Sequence, residues 1–190
     1  MKKALTSVLV MSLTATFSPI LKAQNLVPNW SFEDTLHCPH VLGQVNFCAH
    51  WQNFGNTPDY YNACAPSGDM SVPNTVLGYH NARTGHAMCG AINFGTFPDT
   101  NYREYIATQL ISPLQSGTLY YVSFFISKCT AQVYTLCANK IGAKFTNVIY
   151  SMNNPPPFTN SAHVYTDSIM KDTVGWFKVK GTFVADSNYQ

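Results

Sequence analysis

Charged residues make up only 11% of this 190-residue chain, under half of the roughly 25% usual for soluble proteins. So few charges exclude a chain held open by its own repulsion. Glutamate is scarcer still, with Glu33 and Glu104 alone. A glycosidase needs two convergent carboxylates, and no spacing here picks out a pair. No G-x-S-x-G elbow occurs, so the mark of a serine nucleophile on an α/β-hydrolase scaffold is missing. No C-x₂-C pair occurs, which denies zinc its usual closely spaced thiolates. Helical periodicity is weak throughout, and 11 Gly with 11 Pro leave little room for long helices.

What the chain has in quantity is apolar and aromatic. Hydrophobic residues reach 46% and aromatics 14%, with 11 Tyr, 12 Phe and 3 Trp. That composition suits a β-rich domain with a large buried core and aromatics left over for a surface. The length allows one ordinary domain and a short appendage.

The appendage is the N-terminus. Lys2 and Lys3 precede the mostly apolar stretch Ala4 to Ile20, and Leu21-Lys22-Ala23 offers a cleavage point before Gln24. Residues 1–23 therefore read as a secretory signal peptide. A membrane anchor is the rival, but the stretch is short and rich in Ser and Thr. Export implies a secreted, periplasmic or cell-surface protein with no membrane span after processing. It also removes Lys2, Lys3 and Lys22, leaving eight basic against nine acidic residues, a formal net charge of −1. No basic run remains, so nucleic-acid binding lacks its electrostatic footprint. Residues 24–190 show no repeat or linker and read as a single domain. All six cysteines lie there: Cys38, Cys48, Cys64, Cys89, Cys129 and Cys137. An even count in an exported chain predicts disulfides, with the pairing open. Cys129 and Cys137 are near enough in sequence to staple neighbouring strand ends.

Period-two patterns place the strands. Tyr120, Val122, Phe124 and Ile126 alternate with Tyr121, Ser123, Phe125 and Ser127. The first set belongs in a core, and the second is either another packed layer or a binding floor. Phe177, Val179 and Phe183 alternate with Lys178, Lys180 and Thr182, and Ile141, Ala143 and Phe145 with Lys140, Gly142 and Lys144. Tyr105 to Ile111 is a further strand, followed by turn chemistry from Ser112 to Thr118. His37 to Asp99 reads as long loops, short strands and one helical turn. The sum is an all-β chain, a β-sandwich.

Three short phrases resemble galactose-binding-like jelly rolls. These are Asn25-Leu-Val-Pro-Asn-Trp-Ser-Phe-Glu33, Leu114 to Tyr120 with its Ser-Gly-Thr, and Trp176 to Val184 with its Lys-Gly-Thr-Phe. Gly55 to Cys64, Val72-Pro-Asn74, Gly78-Tyr79, Arg83-Thr-Gly85 and Arg103 to Leu114 resemble exported Bacteroidota proteins, whose modules are often fused to other domains. The resemblance implies a jelly-roll sandwich, the bond Cys38–Cys64, and Glu33 as a ligand of a structural calcium. No other cofactor is implied. Such folds continue into a closing strand after the Trp176 strand. Here the sequence stops at Gln190, so the expectation is an open sheet edge or a longer chain.

The expected function is a non-catalytic binding module for a glycan or cell-surface polymer. Aromatic rings stack on the C–H faces of sugars while polar groups read hydroxyls. The loop-rich region supplies Trp51, Asp59, Tyr60, Tyr61, Tyr79, His80, Asn81 and Arg83, and the strand face supplies Tyr121 and Phe125. The rival for Trp51, Tyr60 and Tyr61 is packing of loops on the sandwich. Two other functions stand beside this one: a structural or adhesion domain meeting another protein, and a polysaccharide hydrolase acting through Glu104 or Asp59.

Overall fold

The computed structural model describes residues 23–66, 68–95, 102–131, 137–157, 159 and 161–190. Residues 1–22 of the expected signal peptide lie outside them. The chain is all-β. Among the described residues the helical element is a single 3₁₀ turn, Val45–Phe47, and ten strands carry the fold. These are β1 Trp51–Asn53, β2 Asp59–Asn62, β3 Asn74–Thr75, β4 Gly78–Tyr79, β5 Ala87–Gly90, β6 Ile106–Thr108, β7 Leu119–Ile126, β8 Gly142–Ala143, β9 Val164–Tyr165 and β10 Phe177–Val184. They pair antiparallel as β1–β6, β2–β5, β3–β4, β7–β10 and β8–β9.

β7 and β10 are the longest strands, and both stand out in the sequence as alternating runs. They pair along their full length, from Phe177 opposite Ile126 to Val184 opposite Leu119. Opposed residues share a face of the sheet. Tyr120, Val122 and Phe124 are half-buried and Val179 is buried, while Leu119, Tyr121, Ser123, Lys178, Lys180 and Thr182 face solvent. The β8–β9 hairpin packs on this pair. A Cβ on Gly181 would lie 3.0 Å from Val164, and Phe145 stacks on Phe183 with ring centroids 4.8 Å apart. Gly142 permits the hairpin's close approach, since a Cβ there would sit 2.6 Å from the Val164 carbonyl oxygen.

The core lies on both sides of β2–β5. Every residue of β2 is buried. Successive side chains of a strand point to opposite faces, so Tyr60 and Tyr61 enter different clusters. Tyr60 packs with Cys48 and Ala87, edged by Phe32, Phe47, Trp51 and Cys89. Tyr61 packs with Met70 and Met88, edged by Leu77 and Trp176. Trp176 leads into β10, which joins the second cluster to the long sheet. The small antiparallel sheets are consistent with a β-sandwich.

Several expectations are corrected. Cys38–Cys64 is bonded, with Cα atoms 5.6 Å apart, but Cys48, Cys89, Cys129 and Cys137 carry free thiols. Cys48 and Cys89 sit in the apolar cluster beside Tyr60, where burial pushes the Cys89 thiol well up and keeps it protonated. Cys129 and Cys137 staple nothing. The strand read from Tyr105 shrinks to β6, because the Tyr105 N–H turns to the Gly55 carbonyl. The strand read from Ile141 shrinks to β8, because the Phe145 N–H donates to His163 Nδ1 at 3.1 Å.

The opening phrase from Asn25 forms a turn, with Asn29 at φ 41°. Asn tolerates that region, and its side chain ties the turn: Nδ2 donates to the carbonyls of Asp34 and Ala49, and Oδ1 accepts the Asp34 N–H. At the other end, the tail folds back over the turn before β7. The Leu114 N–H donates to the Tyr189 carbonyl at 2.8 Å, and the Ser116 N–H to Asn188 Oδ1 at 2.9 Å.

Candidate functional site

The residues singled out from the sequence separate into a buried group and an exposed one. Asp59, Tyr60 and Tyr61 belong to the buried group, with Asp59 only 8% exposed. Asp59 Oδ1 accepts the Gly43 N–H at 2.7 Å, and Oδ2 accepts the Tyr61 hydroxyl at 2.9 Å. The Tyr60 hydroxyl donates to the Phe32 carbonyl and accepts from Asn62 Nδ2. Burial pushes the Tyr60 phenol up to about 12. None of the three side chains reaches solvent to meet a ligand. Trp51 is half-buried, its ring tilted against Phe32 with centroids 4.7 Å apart and its indole N–H donating to the Asn29 carbonyl. β2 is covered on both faces, which packs Tyr60 and Tyr61 into the core, while Trp51 edges the Tyr60 cluster from β1.

His80 is buried and lies flat on Trp176, with ring centroids 5.1 Å apart and planes at 21°. Its Nε2 has no hydrogen-bond partner among the described residues, and burial lowers its pKa. Glu33 serves the backbone. Its carboxylate accepts the N–H groups of His86 and Ala87 at 3.0 Å. Gly85 lies at φ 63°, and a Cβ there would collide with that carboxylate. Among the described residues no group of three or more His, Cys, Asp or Glu is placed to hold a metal ion.

The two carboxylates weighed for hydrolysis do lie within electrostatic reach of each other. Glu104 is buried and accepts the Ile92 N–H at 2.8 Å, the Tyr102 hydroxyl at 2.9 Å and the Thr57 hydroxyl at 3.2 Å. Both carboxylates are filled by local donors. Desolvation, with a smaller push from Glu104, raises the Asp59 pKa. A carboxyl whose folded pKa is raised contributes stability below its unfolded value near 3.9, and loses that contribution as pH rises through the folded value. Asp59→Asn keeps an oxygen for Gly43 and carries no charge. Thermal scans from pH 4 to 7 should show the variant gaining on the parent as pH rises. A gap that does not change with pH would refute this account of Asp59.

The exposed group gathers around β7 and β10. Tyr79 is 59% exposed and Tyr121 60% exposed, while Asn81 and Arg83 are open to solvent and Phe125 is half-buried. The loop after β4 is fixed to the sheet where the Trp176 indole N–H donates to the Asn81 carbonyl at 3.1 Å. From that loop the Arg83 guanidinium reaches over the Phe125 ring, 3.5 Å from its centroid. Lys178 is opposite Phe125 in the register. Its Nζ lies 5.7 Å from the Phe125 ring and 5.7 Å from the Tyr121 ring. A hydrogen bond from Lys178 lowers the pKa of the Tyr121 phenol. Arg83, Phe125, Lys178 and Tyr121 thus make a row of alternating cations and rings. Cations are attracted to the negative faces of aromatic rings. Lys180 projects from the same face, two residues on.

No family model, curated protein or solved structure matches this chain. The reading of the site therefore rests on its chemistry. In the sequence, Lys178 and Lys180 carry no more signal than a solvated strand face. Their alternation with Phe177 and Val179 marks the outward side, but only the pairing of β10 with β7 sets them against Tyr121 and Phe125. Beside them, a shallow depression of about 290 Å³ runs between β9 and β10, lined by Tyr165, Asp167, Lys178 and Lys180. Asp167 there is ion-paired with Lys140. Among the described residues no helix is long and apolar enough to cross a membrane.

Proposed function

We propose that this protein is an exported, non-catalytic carbohydrate-binding module of galactose-binding-like jelly-roll type, and that the open face of β7–β10 is its ligand platform. One observation carries the reading. Tyr121 stands open on the solvent side of the β7–β10 sheet, beside a Phe125 ring that carries the Arg83 guanidinium, and Lys178 lies near both rings. Rigid aromatic area beside fixed polar donors is the chemistry that holds a sugar ring. The bonded Cys38–Cys64 pair fits an oxidising compartment. The buried positions Asp59, Tyr60 and Tyr61 organise the core beneath and take no part in binding.

A glycan array probed with the purified full chain tests this. Saturable binding is expected, lost in Tyr121→Ala while thermal stability stays within about 0.5 kcal/mol, as for a surface substitution. Binding unchanged by Tyr121→Ala would remove the platform.

A second reading, protein–protein adhesion, is favoured by one feature. Leu119 and Val184 face each other at the exposed end of the same sheet, an apolar pair on a short two-stranded unit. Exposed strands of this kind are sites of strand addition. Concentration-dependent self-association with no glycan bound would select it.

A further inference from the structure

We infer that the ligand of this face is an acidic polysaccharide, bearing carboxylate or sulfate groups, and that Arg83, Lys178 and Lys180 select it over neutral glycans. The inference rests on the carbohydrate-binding reading above and specifies its substrate class.

The sequence after residue 23 carries a formal −1, yet the outward residues of β7 and β10 include no acid. They are Leu119, Tyr121, Ser123 and Phe125 facing Val184, Thr182, Lys180 and Lys178. Arg83 adds a third cation from the loop after β4. The nearest acid in the adjoining depression, Asp167, is engaged by Lys140. A face with cations and no acid, on residues 24–190 whose formal total is −1, is complementary to an anion.

The rings then decide what kind of anion-bearing polymer fits. The Arg83 guanidinium covers one face of Phe125 at 3.5 Å. A neutral sugar or a nucleic-acid base needs that face for stacking. What remains presented is the outward edge of the guanidinium, a planar fork suited to two oxygens of a carboxylate or sulfate. The ring fixes the fork in place, so little side-chain freedom is lost when an anion docks. Lys178 Nζ lies 5.7 Å from both the Tyr121 and Phe125 rings, while Tyr121, at 60% exposure, keeps area free for one sugar. Lys178 and Lys180 are two residues apart on one strand face, a separation of roughly 6.6 Å. This spacing suits charges repeated along an extended chain. Three cations without a set of free stacking faces make a poor groove for nucleic acid, which takes a denser positive track and open rings.

The experiment compares polygalacturonate, neutral galactan and a single-stranded DNA oligonucleotide against the full chain by biolayer interferometry, at low and high salt. Polygalacturonate is expected to bind at least about tenfold tighter than galactan, an advantage that added salt erases. The triple variant Arg83→Gln, Lys178→Gln, Lys180→Gln is expected to lose that tenfold preference, and Lys144→Gln on the β8–β9 side to retain it. All these side chains are exposed or at the surface, and unfolding curves run in parallel confirm that the variants fold. Equal binding of polygalacturonate and galactan overturns the charge selection and leaves the carbohydrate reading standing. Tighter binding of the oligonucleotide overturns the choice of polymer. Failure of all three to bind overturns both the inference and the reading beneath it.

Discussion

Tyr60→Ala should lose about 4 kcal/mol of folding stability, the typical cost of emptying a large aromatic site in a core. The ring is fully buried against Cys48 and Ala87. Its hydroxyl is also a hub: it donates to the Phe32 carbonyl at 2.9 Å, accepts from Asn62 Nδ2 at 2.8 Å and lies 2.6 Å from the Thr35 hydroxyl. Truncation leaves a cavity and strips those buried polar groups of a partner. Tyr60→Phe separates the two effects. It keeps the ring volume and should lose about 1–3 kcal/mol for the unsatisfied groups alone. Since domains of this size have roughly 5–15 kcal/mol in total, the alanine variant should sit close to unfolding at room temperature. Urea denaturation followed by tryptophan fluorescence measures both. A loss below about 1 kcal/mol for Tyr60→Ala would mean that the β2–β5 layer is not the core of this molecule.

Removing the disulfide is the second large effect. Cys38 and Cys64 are 26 residues apart. In the chain-entropy account, closing a loop of that length restricts the unfolded ensemble by about 3.5 kcal/mol. Cys38→Ala with Cys64→Ala should therefore lower stability by about that amount. A reducing agent should have a similar effect on the parent, through the same bond. The enclosed loop carries the 3₁₀ turn, β1 and β2, so its release loosens the chain that delivers Tyr60 and Tyr61 to the core. Alkylation of denatured, unreduced protein followed by intact mass should count four labelled thiols, one each at Cys48, Cys89, Cys129 and Cys137. No label at all would overturn the free-thiol assignment. A stability change under about 1 kcal/mol would show that the tertiary contacts of the loop hold it without the bond.

The long strands are legible in the sequence because their period-two patterns are clean. Tyr120 to Ile126 and Phe177 to Phe183 each carry one apolar and one polar or mixed side, and that contrast is what a half-buried sheet requires. Asp59-Tyr-Tyr-Asn62 is illegible there for the opposite reason. A strand buried on both faces has no alternation to show, and its tyrosines have the composition of a sugar site. Their hydroxyls are satisfied by Phe32 and Asp59, residues from the opening turn and from the strand itself. The partners of Glu33 are likewise illegible in the sequence. A carboxylate beside an opening phrase suits a cation, yet its partners are backbone N–H groups of His86 and Ala87, more than fifty residues on.

By itself the sequence determined the all-β class, the two long strands and which side of each faces water, because side-chain alternation is a local property of the chain. Tertiary structure alone decided which aromatics became core and which stayed open. It also brought Arg83 over Phe125 and Lys178 alongside Tyr121. Those encounters depend on strand register and on where one loop is anchored, distances set by residues far apart in the chain. Burial and charge complementarity are properties of such assembled neighbourhoods, and no single stretch of residues contains them.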